Sequence, residues 1–70
     1  MKRTAAAEAF LLVFRQMYSE QALAPVIARG EEVARKVGAQ MLGRGHLRLA
    51  LEEIAREVED EFEEDADGGL

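Results

Sequence analysis

The chain has 70 residues, with nine Lys and Arg, fourteen Asp and Glu, one His and no Cys. That length holds one domain, and the missing cysteine excludes disulfides and thiolate metal sites. The net charge of −5 is uneven: residues 1–56 carry nine basic and six acidic side chains, whereas residues 57–70 carry eight acidic and no basic ones.

The first helix is expected over about 5–23. Thr4 is its N-cap, and Glu8 lies near the positive end of the helix dipole. Phe10, Phe14 and Met17 recur at i, i+4, i+7, with Leu11, Tyr18 and Ala22 in an adjacent stripe. From Phe10 to Phe14 the helix is apolar all round, which predicts burial on more than one side and hence a second protein surface. The apolar run from Ala5 to Phe14 is too short to span a bilayer. Met1, Lys2 and Arg3 resemble the basic start of a signal peptide, but Tyr18–Ser19 is a poor cleavage site, so the expected setting is cytoplasmic with no membrane partner.

Pro25 disfavours helical geometry at Ala24, and a break there is favoured over a kink. The second helix then covers 25–37. Val26, Gly30, Val33 and Val37 form its inner stripe, with Ile27 and Ala34 beside it. Gly30 either permits a close helix crossing or is a tolerated glycine costing up to about 1 kcal/mol against Ala. Glu31–Arg35 and Glu32–Lys36 are i,i+4 pairs in the favourable order. Gly38 is placed to end the helix in a left-handed conformation. A short extended turn follows over 39–45, carrying Met41 and Leu42. The third helix is expected over 46–64, with the stripe Leu47, Leu51, Ile54, Val58 and Phe62 flanked by Ala50 and Ala55. Residues 1–64 read as one helical domain, and 65–70 as a disordered acidic tail.

No catalytic, cofactor or metal constellation is legible. His46 has no neighbouring nucleophile or orienting carboxylate and reads as a helix-start hydrogen bond. The acids of Glu57 to Asp67 lack a Glu-x-x-His pair and read as a solvated tail. Arg35, Lys36 and Arg44 bracket the Gly38 turn, and Arg48 lies one turn into the third helix. These cations are candidate phosphate contacts; the plainer reading is surface charge, partly neutralised by Glu31, Glu32, Glu52 and Glu53.

Ala34-Arg35-Lys36-Val37-Gly38, followed by Leu42, His46, Leu47 and Ala50, resembles the C-terminal half of an archaeal-type histone fold. The resemblance covers about 20 of the 70 residues. It implies a long helix ending at a glycine, a Met41–Leu42 loop that pairs with a partner chain, and a final helix. It also implies that Arg35, Gln40 and Arg44 lie near a phosphate-contacting surface. Pro25 departs from that pattern by falling inside the central helix, and His46 by standing where an aspartate is common. The same stretch is similar to the repeats of Clp chaperone N-terminal domains and to the small C-terminal domain of the light-independent protochlorophyllide reductase B subunit.

The resulting expectation is an all-α, three-helix, non-enzymatic protein–protein interaction or assembly module. A small fold without disulfide or metal needs another staple, which makes a homodimer the expected state. Its interface is expected at Phe10, Leu11, Phe14, Met17, Met41 and Leu42. The alternative is a histone-like, nucleic-acid-associated protein whose acidic tail moderates binding.

Overall fold

The computed structural model describes the backbone of residues 1–69 and the side chains of residues 1–60. Three helices dominate: α1 (Ala5–Met17), α2 (Glu20–Lys36) and α3 (Arg44–Gly69). Two short strands, β1 (Lys2–Arg3) and β2 (Met41–Leu42), pair in parallel with Lys2 opposite Met41 and Arg3 opposite Leu42. The acidic tail expected over 65–70 falls on residues whose side chains lie outside those described.

Helix α1 starts where Thr4 Oγ1 accepts a hydrogen bond from the Ala7 N–H at 3.1 Å. This satisfies one of the donors left unpaired in a first turn. The helix ends at Met17, six residues before the expected boundary, because Tyr18 turns to extended geometry. Ser19 is the N-cap position of α2 and Glu20 its first residue, an acid at the positive end of the dipole. Arg15 and Glu20 form an ion pair across the corner.

The chain therefore breaks at Tyr18–Ser19, and the break expected at Pro25 does not occur. Pro25 lies in the second turn of α2. Its missing N–H leaves the Gln21 carbonyl without the usual i+4 donor. Gln21 is exposed, so water can serve that carbonyl. Ser19 makes no side-chain cap bond; the break lies in the extended geometry of Tyr18 and Ser19, and Pro25 is accommodated inside α2.

The C-terminus of α2 is closed by backbone bonds alone. Gly38 has φ +75°, the Gly38 N–H donates to Arg35 O at 3.1 Å, and the Ala39 N–H donates to Ala34 O at 2.8 Å. These are the two bonds of a Schellman motif, with Ala39 packed against the core as its apolar contact. The helix stops one residue before Val37, which is left exposed rather than in the inner stripe.

α2 packs against α3. They meet tightly at Gly30, where an added Cβ would stand 3.0 Å from Leu47 Cδ2 and 3.2 Å from Leu42 Cδ1 of β2. Of the two readings open for Gly30, the close crossing is the one the fold adopts. Ala7, Leu11, Val26, Ala34, Leu42 and Leu47 form the buried cluster, and Phe10, Phe14, Leu23, Ile27, Leu51 and Ile54 pack around it half-buried. Beyond Ile54 no described residue of α3 is buried. Among the described residues, no helix is long and apolar enough to cross a membrane.

Candidate functional site

Three helices leave one side of the core uncovered. An open, apolar groove of about 570 Å³ runs between them. Phe10, Val13, Phe14 and Met17 of α1 form one wall, Ala22, Pro25 and Val26 of α2 the floor, and Leu51, Ile54 and Ala55 of α3 the other wall. Tyr18 closes the end at the α1–α2 corner. Phe10 and Phe14 are stacked at 6.4 Å between ring centroids, and Phe14 and Tyr18 are tilted at 4.6 Å. Such pairs gain from the opposed charge of ring face and ring edge. The aromatic row is not inside the core; it lines the groove.

Part of the groove's lining stands exposed. Met17 is 69% exposed, Val13 56% and Tyr18 54%. Val58, 44% exposed, lies four residues past Ile54 and three past Ala55, the spacing of one helix face. Contiguous apolar surface of this kind marks an interaction site.

The expected interface residues separate into three groups. Phe10, Phe14 and Met17 line the groove. Leu42 is fully buried and Leu11 6% exposed, so both belong to this chain's own core. Met41 is exposed on β2, whose partner strand is Lys2–Arg3 of the same chain. Val13, Leu51, Ile54 and Ala55 belong to the groove without having been singled out as interface. The i, i+3, i+4 spacing of Leu51, Ile54 and Ala55 was the available signal, but spacing alone does not tell a core stripe from an open wall.

The basic residues do not converge. Arg35 and Lys36 are exposed at the end of α2, where Arg35 lies 3.7 Å from Glu31, its i,i+4 partner. Arg44, at the start of α3, lines a small hollow beside Ala6, Ala9, Phe10 and Val13 of α1. No described contact joins Arg44 to the other two. Arg29 is held most firmly. Its Nη1 donates to Glu57 Oε1 at 2.9 Å and to Glu53 Oε1 at 3.2 Å, and its Nη2 to Glu57 Oε2 at 3.3 Å. These hydrogen bonds, Glu57's first, raise the Arg29 pKa above its ordinary value. The fork ties α2 to α3, and none of its three residues lines the groove.

His46 is the third residue of α3, and its Nδ1 accepts from the Gly43 N–H at 2.9 Å. Gly43 is the N-cap position, so the imidazole takes the role that Glu or Gln plays in a capping box. The ring's proton in this arrangement sits on Nε2. That is the helix-start hydrogen bond expected from its position.

No protein-family model, no curated protein and no solved structure matches this chain.

Proposed function

We propose that the chain is a non-enzymatic assembly module that forms a homodimer through an apolar face. The observation that carries this reading is the groove. Phe10 and Phe14 are only half-buried in it and Val13, Met17 and Tyr18 stand exposed, while the core beneath includes three alanines, Ala7, Ala34 and Ala50. A chain of this size has little hydrophobic stabilisation to spare, and covering such a face is how small folds without disulfides gain it. A cytoplasmic setting belongs to the same reading, supported by the short apolar run that stops at Arg15. Sedimentation equilibrium tests it. A dimer at micromolar concentration is the expected result, and a monomer across the whole micromolar range would overturn it.

A further inference from the structure

Charge along α3 indicates what covers the groove. The first turn of α3 holds no acidic residue and its last turn no basic residue. Both ends therefore oppose the dipole, which favours acids at the N-terminus and bases at the C-terminus. Arg44 and Arg48 stand exposed at the start, and among the described residues neither forms an ion pair. Residues 57–70 supply eight acids and no base. Between these oppositely charged ends lie Leu51 and Ala55, which line the groove, and Val58 stands exposed where the acidic segment begins. A helix that is basic, then apolar, then acidic complements itself when a second copy lies antiparallel.

Helix α1 offers the matching surface. Ala6, Phe10, Val13 and Met17 are spaced by four, three and four residues, the seam spacing of helices that pack along one another. The last three line the groove, and no charged residue falls between Ala9 and Phe14. A standard interface covers about 800 Å² per partner, roughly one-seventh of this chain's 5318 Å². An isologous dimer makes each such contact twice.

We propose that the groove is closed by α3 of a second copy running antiparallel to α3, so that the acidic end of each helix lies against Arg44 and Arg48 of the other. The inference rests on the homodimer reading and narrows it to one face and one direction. The core of the assembly is then α1 and α3 of both copies.

The test is sedimentation equilibrium of the full chain and its variants, with circular dichroism confirming the fold. Met17→Glu and Val58→Glu alter side chains exposed in the single chain, so helicity is expected to persist. Each raises the dimer Kd by roughly tenfold or more, because a carboxylate is buried without a partner. Leu12→Glu, exposed away from the groove, leaves Kd unchanged. The absence of cysteine makes direction measurable. Chains carrying Arg48→Cys and Asp65→Cys form a mixed disulfide when combined, and neither links to itself. Self-linking by both, or no mixed disulfide, would overturn the antiparallel direction. A wild-type dimer that survives both glutamate variants overturns the groove as its site while leaving the homodimer standing. A wild-type monomer overturns the homodimer itself.

Discussion

Gly30 has no side chain at the point where α2 meets Leu47 and Leu42, both fully buried. Alanine there would gain up to about 1 kcal/mol of helix propensity. It would also place a methyl group 3.0 Å from Leu47 Cδ2 and 3.2 Å from Leu42 Cδ1, so these buried leucines must give by a few tenths of an ångström. Overpacking of this kind costs about 1–3 kcal/mol, so Gly30→Ala is expected to lower stability in urea unfolding. A gain in stability would show that Leu47 yields. His46 gives a second residue-scale expectation. His46→Ala removes the acceptor of the Gly43 N–H and should cost on the order of 1 kcal/mol, the usual value of a lost cap. His46→Gln, which can reach back to the same N–H, should recover part of it. Equal losses in both variants, measured by thermal unfolding, would remove the cap as the reason for histidine.

Among the elements, α2 carries an unmet obligation at Pro25. The proline removes one rung of the helix ladder and costs up to about 3 kcal/mol in a helix interior. Part of that is offset because proline also restricts the unfolded chain, an effect of about 1 kcal/mol. Pro25→Ala is therefore expected to raise the Tm, and a fall would show that the ring's place in the groove floor matters more. The same element shows how far sequence reasoning reached. The glycine stop at Gly38, the three-helix class, and the stripes of α2 up to Val33 and of α3 up to Ile54 are local patterns that the fold realises; Val37 and Val58 stand exposed instead, and Phe62 lies outside the described side chains. The corner at Tyr18–Ser19 was missed because two local signals compete there and proline is the louder. The β1–β2 pair and the Arg29–Glu57 fork were invisible for another reason. Each joins residues far apart in sequence, and no local periodicity records such a contact.

At the scale of the molecule, the mismatch between core and surface is the governing feature. The buried cluster is small, and Met17, Tyr18 and Val13 remain outside it. If a second copy covers them, association and stability are linked by mass action. The Tm is then expected to rise with protein concentration, and a Tm independent of concentration over the micromolar range would count against assembly as the source of stability. Whether the face was core or interface could not be read from the stripe of Phe10, Phe14 and Met17. That depended on how completely the other two helices wrap α1, which is a property of crossing geometry and not of any one helix.

The pairing of Lys2–Arg3 with Met41–Leu42 has a kinetic consequence. It joins residues 39 positions apart and encloses α1 and α2 in a single loop. Closing a loop of that length costs about 3 kcal/mol of chain entropy plus a constant, for only two residues of ladder on each side. Such a contact has little to gain until the helices have already drawn its ends together. It should form late in folding and open first in the native state, so that Thr4, whose N–H is bonded to Leu42 O at 3.0 Å, belongs to the most readily exchanging end of the molecule. The strand pair acts less as a foundation than as a latch, engaged once the helices are in place.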